Sequence, residues 1–238
     1  DLRHFSSAGR FPETEKSSIL CEYHGRDDLM RGLVITGGAG PGSDTLRSWG
    51  RSAGRIVAAD SGLERALAAG VEPDLVVGDM DSLRDHGLLA RIPSERVRAF
   101  ERDKDDTDTE LALEILFDEG YDDVVLAGGG GGRLDHLVGI LALFDRDRHP
   151  SVWLTGTDEV VAVDDVLERT GLIGQTVSFF PAGRDACRMH SVGLKWPLDG
   201  LEWRRGNVGI SNEVVSDPLR VEMESGRLIM VRSTEEEE

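Results

Sequence analysis

Cysteine is nearly absent from this 238-residue sequence, with Cys21 and Cys187 the only two. Without a CxxC pair or a framework of four or six, neither a structural zinc nor a disulfide scaffold is expected, and a reducing cytoplasm fits best. Positive charge is scarce too. Against 45 Asp and Glu stand 27 Lys and Arg, a formal charge of −18, and a field of that sign repels DNA and anionic membrane surfaces. Nucleic acid and membrane are therefore not expected as partners. Within a plausible helix the longest apolar run is Ile140 to Phe144, far short of the ~20 residues that cross a bilayer. No basic region with an apolar core follows Asp1, so no signal peptide is expected. No GxxxxGK[ST] loop occurs anywhere.

What is present is ordinary globular material, 39% hydrophobic and 30% charged. Four β-branched runs, Leu33 to Thr36, Arg55 to Ala59, Leu75 to Val77 and Asp123 to Ala127, alternate with helical spacing at Leu63, Ala66, Leu67 and Val71 and at Leu111, Ile115 and Leu116. This rhythm predicts a mostly parallel, Rossmann-like α/β domain over 31–149. After Pro150 the pattern changes to short strands, among them Val152 to Leu154, Val160 to Val163, Val177 to Phe180 and Leu228 to Val231, separated by Gly, Asp and Pro. An all-β sandwich is expected over 150–234. Residues 1–30 read as a polar extension and Glu235 to Glu238 as a solvated acidic tail.

In an open α/β sheet, ligands gather beyond the carboxyl ends of the strands. Here those exits are polar and glycine-rich: Gly37 to Gly42 including Gly38, then Asp60-Ser61-Gly62, then Gly78 to Ser82, then Gly128 to Arg133. Asp79 and Asp81 lie two apart, so their carboxylates share a direction if the strand persists, and hard oxygen ligands suit Mg²⁺; an Asx-turn is the local alternative. Asp103 to Asp108 puts four carboxylates into six residues, a self-repelling set unless cations compensate. Part of it is structural, because Thr107 to Glu110 matches a capping box. An EF-type calcium loop fails, since Asp108 stands where glycine is required. The remaining account places Asp108 with Asp79 and Asp81 on a metal, with Lys104 and the helix N-terminus facing phosphate oxygens. Arg133, Asp135 and His136 follow the glycine run and suit a phosphate, although His136 could equally be a packed surface residue. A dinucleotide fingerprint is imitated by Gly38-x-Gly40 with Asp60 about 20 residues on, but Ser43 holds the third glycine position and Pro41 removes an amide donor.

Taken together, Ala58 to Gly62, Pro73 to Ser82, Asp103 to Ala112 and Gly131 to His136 resemble the thiamin pyrophosphokinases, and the likeness continues through Gly193 to Leu198 and Gly209 to Glu213. The resemblance implies an ATP-binding α/β domain followed by a β-sandwich, working as a homodimer with thiamin between subunits. It implies attack of the thiamin hydroxyl on the β-phosphorus of ATP, with AMP released and Mg²⁺ neutralising charge. By carry-over, Asp79, Asp81 and Asp108 are metal ligands and, with Asp135, the catalytic set. Gly38, Asp60, Asp103, Lys104, Thr107, Arg133 and His136 belong to the ATP side. Trp196, Ser211 and Asn212 would meet thiamin, whose cationic and planar rings suit an aromatic face and a few hydrogen bonds. Met80 replaces the more usual Phe, and Ile140 stands where many members carry Asn. Another small alcohol such as a pterin as acceptor, or a non-catalytic thiamin- or nucleotide-binding regulator, are the competing readings.

Overall fold

The computed structural model describes residues 30–234; residues 1–29 and the Glu235–Glu238 run lie outside them. Six short strands run parallel: β1 (Arg31–Ile35), β2 (Arg55–Ala59), β3 (Leu75–Gly78), β4 (Val97–Ala99), β5 (Asp123–Ala127) and β6 (Val152–Leu154). Except in the edge strand β4, their near-continuous apolar sequences reflect burial on both faces. One face is covered by α1 (Ser43–Ser52) and α2 (Gly62–Ala68), which bring Leu46, Trp49, Ala66 and Ala69 onto Leu33, Ile35 and Val125. The other is covered by α3 (Asp108–Asp118) and α4 (Leu134–Leu143), through Ala112, Leu116 and Ile140 onto Val34, Val57 and Leu126. From β1 the chain steps outward through β2, β3 and β4, then returns to lay β5 on the other side of β1. That reversal opens a crevice above the carboxyl ends.

The change of pattern at Pro150 is not a break in the sheet. The remaining strands are β7 (Asp158–Val163), β8 (Val166–Arg169), β9 (Thr176–Ala182), β10 (Cys187–Val192), β11 (Glu202–Trp203), β12 (Gly209–Glu213), β13 (Leu219–Ser225) and β14 (Arg227–Ser233). β7 pairs antiparallel with β6, and β14, β9 and β12 follow, so ten strands form one sheet that runs through both halves of the chain. A separate antiparallel sheet, ordered β11-β10-β13-β8, packs on its second half through Val161, Phe179 and Met230 on one side and Leu167, Met189 and Val221 on the other. Arg227 locks the halves together, its Nη1 donating to the carbonyls of Phe144 and Arg146, both at 2.8 Å. Among the described residues no helix is long and apolar enough to cross a membrane.

Candidate active site

Two of the four strand exits and the start of one helix converge on one acidic centre. Asp60 follows β2, Asp79 follows β3 and Asp108 opens α3, and each offers a carboxylate oxygen within 4.8 Å of the others. Local geometry forces the meeting. Asp60 sits at φ 48 and Gly78 at φ 137, conformations that turn both chains sharply at the strand ends. A methyl group on Gly78 would overlap Asp60 Oδ1 and lie 3.3 Å from Asp108 Cγ. Burial, then the hydrogen bond and charge of Asp108, push the Asp60 carboxyl up to about 7, with Asp79 adding to the effect. Lys104 Nζ lies 2.9 Å from Asp108 Oδ1. Crowded hard oxygens that resist full ionisation are a donor set suited to a divalent cation.

Asp81 is not in that group. Parallel carboxylates at 79 and 81 required the strand to persist, yet β3 ends at Gly78 and the buried Met80 takes φ 63. The Asp81 N–H donates to Asp79 Oδ1 at 3.0 Å, the Asx-turn geometry, and this bond holds the Asp79 carboxyl below its usual range. Asp81 Oδ2 lies instead 3.3 Å from the Arg102 guanidinium.

The acidic centre is one end of a cleft of ≈ 1050 Å³ lined between Thr36 and Arg146. Two glycine-rich loops form its wall and are stitched to each other. Ala39 N–H donates to Gly130 O at 2.6 Å, Gly130 N–H to Ala39 O at 2.8 Å and Gly129 N–H to Gly37 O at 2.6 Å. From β6 the buried Trp153 indole donates to Gly128 O at 2.7 Å. Gly38, Lys104, Thr107, Arg133, Asp135 and His136 all line the cleft; Asp103 does not, while Asp105 and Asp106 do. Thr107 and Glu110 form the capping box, with Glu110 N–H 3.2 Å from Thr107 Oγ1 and Thr107 N–H 2.8 Å from Glu110 Oε2. Arg133 and Asp135 pair at the open rim, where the bond from Arg133 holds the Asp135 carboxyl down. Arg146 reaches across from the end of α4 to Glu110.

No residue beyond Arg146 lines this cleft, so Trp196, Ser211 and Asn212 lie elsewhere, on the β-rich half. Trp196 is 55% exposed, with Lys195 Nζ 4.9 Å from its ring centroid. Ser211 is exposed on β12 at φ 60, within a register shift between Gly209 and Asn212. A non-glycine residue held there marks strain of the kind found at ligand sites. Asn212 is buried, and its amide is engaged: Oδ1 accepts from Trp196 N–H at 3.2 Å and Glu213 N–H at 2.9 Å, and Nδ2 donates to Trp196 O at 2.7 Å. The structure thus places Asn212 behind Trp196, gripping its backbone.

Residues 46–154 match the family described as thiamin pyrophosphokinase, catalytic domain, and residues 165–228 match thiamin pyrophosphokinase, vitamin B1 binding domain. The chain belongs to the thiamin pyrophosphokinase family. The thiamine pyrophosphokinase of Bacillus subtilis (strain 168) is 26% identical over 195 residues, 75% of this chain and 87% of that protein. A crystal structure of the Bacillus subtilis thiamine pyrophosphokinase superposes with a TM-score of 0.73 at 24% identity, covering 87% of this chain and 100% of the other. The Geobacillus thermodenitrificans thiamin pyrophosphokinase structure gives a TM-score of 0.69 at 27% identity, covering 87% and 98%.

Within this member of the family several groups in and behind the cleft carry no sequence signal of their own. Arg102 enters the cleft from the segment before α3, and Arg146, just past α4, enters it paired with Glu110 of the capping box. Thr36 and Thr109, from β1 and α3, meet through their hydroxyls at 2.9 Å. Trp153 reads as one more strand residue until the parallel register of β5 and β6 sets its indole under Gly128.

Proposed function

We propose that this protein transfers the pyrophosphoryl group of ATP to the hydroxyl of thiamin, forming thiamin diphosphate and AMP. The observation that carries the reading is the Asp60, Asp79 and Asp108 centre at the end of the cleft, in a chain matched along both its α/β and its β-rich half to one family. ATP lies in the 31–149 half, a Rossmann-like α/β unit, with its triphosphate towards Lys104, Arg133 and the N-termini of α3 and α4. Asp60, Asp79 and Asp108 would hold Mg²⁺, with Asp81 able to join them if Arg102 releases it; the ion would supply charge neutralisation at the phosphates and at the leaving AMP oxygen. Lys104 and Arg133 orient the phosphates, and the cleft walls align the thiamin oxygen with the β-phosphorus. The hydroxyl proton passes to water as the new O–P bond forms and the bond between the β-phosphorus and the AMP oxygen breaks.

The sandwich-like half, 150–234, is the thiamin side. Because Trp196 and Ser211 do not line the nucleotide cleft of their own chain, we place thiamin between two copies in a homodimer. The exposed apolar residues Val192, Val208 and Ile210 on the β half, and Leu134 and Val138 on α4, supply apolar surface for such an interface. The cytoplasm, where ATP is plentiful, is the proposed compartment.

Incubation with ATP, thiamin and Mg²⁺ is expected to give AMP and thiamin diphosphate in equal amounts. ADP as the sole nucleotide product overturns the reading. The nucleotide side has its own test in Trp153→Phe, which keeps a buried ring and removes the donor to Gly128 O. A lost buried hydrogen bond is worth about 1 kcal/mol, so KM for ATP should rise roughly fivefold. KM for thiamin should stay within about twofold; equal rises in both would mean that the whole fold, not the glycine wall, had moved.

A further inference from the structure

The loop that carries Trp196, between β10 and β11, is held from two sides. On the buried side Asn212 grips the Trp196 backbone. On the solvent side Ser191 Oγ accepts from Leu198 N–H at 2.8 Å and donates to Asp199 Oδ2 at 3.2 Å. Next to Ser191, His190 Nδ1 lies 2.9 Å from Asp199 Oδ1, and its Nε2 lies 2.5 Å from Glu224 Oε1 on β13. A carboxylate on each ring nitrogen is satisfied only by the imidazolium, the one form of histidine with two N–H donors.

We propose that His190 is a positioning residue for thiamin: its imidazolium bridges Asp199 to Glu224, clasps the 197–200 segment against β10 and β13, and so presents Trp196 to the substrate. The proposal rests on the reading that Trp196 meets thiamin. His190 is the group bonded to both Asp199 and Glu224, and the charge of Arg188 also bears on Glu224. Its cross-strand neighbour on β13, Glu222, is engaged by Arg220 at 3.1 Å. On its own strand Arg188 is engaged by Glu202 of β11, Nε to Oε2 at 3.1 Å. What remains facing the ring is negative, and the bond to Asp199, followed by the charge of Glu224, raises the His190 pKa above its ordinary value.

The sign follows from the proton count. Below the raised pKa both carboxylates are bridged and the loop is held. Above it the neutral ring keeps one N–H, one carboxylate faces a lone pair, and the clasp opens. Because the ring is exposed to solvent, the bonds are screened and the expected change is several-fold rather than a loss of function.

The test is KM for thiamin from about pH 6 to about pH 8.5, a span that brackets histidine titration, for the wild type, His190→Gln and His190→Lys. In the wild type KM should rise about three- to tenfold across the span. His190→Gln should hold the high value throughout, with kcat and KM for ATP within about twofold of wild type. His190→Lys, a cation over the whole range, should keep KM low and flat; that rescue separates the clasp from a general loss of folding. Trp196→Ala, measured alongside, reports on the underlying reading. If it raises KM for thiamin while His190→Gln behaves as wild type, the clasp is refuted and the role of Trp196 stands. If it leaves KM unchanged, Trp196 does not meet thiamin and the proposal falls with that reading.

Discussion

Asp108→Asn is expected to lower pyrophosphoryl transfer by about a hundred- to a thousandfold while leaving the ligand-free protein at least as stable as the wild type. The loss follows from the proposed role of Asp108 as one of three carboxylates holding Mg²⁺, since single preorganised groups are commonly worth ~3–4 kcal/mol of barrier. The stability gain follows from the crowding. Asp60 is pushed from 3.8 to about 7, by burial first and then by the hydrogen bond and charge of Asp108. In the folded protein Asp60 thus keeps its proton at pH values where the unfolded chain has lost it. Below about pH 4 both states are protonated and nothing is lost; as pH rises towards 7 the folded state forfeits stability, and the cost is complete above that. Asparagine at 108 removes the share due to its charge. Since the cluster is open to the cleft, the shift must be discounted for solvent screening, leaving about 1–2 kcal/mol at pH 8 and less at pH 5. In a chain of this size that is a few degrees of Tm. Thermal melts with and without Mg²⁺ supply a readout independent of turnover: Mg²⁺ should stabilise the wild type and have little effect on the variant. A variant that still gains stability from Mg²⁺ like the wild type would remove Asp108 from the metal site.

The placement of that centre was legible in the sequence, and its membership only in part. Strand runs ending in Asp60 and Asp79, and a capping box at Thr107, locate two strand exits and a helix N-terminus, because burial on both faces writes long apolar runs and caps follow local hydrogen bonding. What the spacing could not supply was the conformation after β3. The two-residue interval between Asp79 and Asp81 implies a shared direction only in an extended chain, and the left-handed turn at Met80 removes it. Asp60 enters in place of Asp81, since parallel pairing of β2 with β3 puts their ends side by side, a relation between residues nearly twenty apart that no local pattern records. The β-rich half shows the same limit. Alternation in β10 and β13 announces strands with one face in a core, but not that β7, β14, β9 and β12 extend the parallel sheet rather than closing a sandwich of their own. Likewise Asn212 lies close to Ser211 in sequence, yet faces inward and holds Trp196 from behind.

Gly78→Ala is expected to cost both stability and activity. Two separate costs meet at that position. The backbone at φ 137 is one that a side chain rarely adopts, at a cost on the order of 1–3 kcal/mol. The added Cβ would also overlap Asp60 Oδ1, so either β3 shifts or Asp60 swings out of the acidic centre. A displacement of about 1 Å at reacting groups is enough for roughly a hundredfold loss in rate, so activity should fall by at least about that factor even in molecules that remain folded. Gly70→Ala separates the two costs. Gly70 has φ 72, and a methyl group there would meet nothing within 4 Å, so that variant should lose about 1 kcal/mol of stability to the backbone alone and keep its turnover. The overlap itself is tested by adding Asp60→Ala to Gly78→Ala. With the carboxylate gone, the double variant should recover part of the stability lost by Gly78→Ala and none of the activity, a non-additive result that neighbouring groups produce and independent ones do not. Strict additivity of the two changes would place the damage of Gly78→Ala in the strand backbone and not at Asp60.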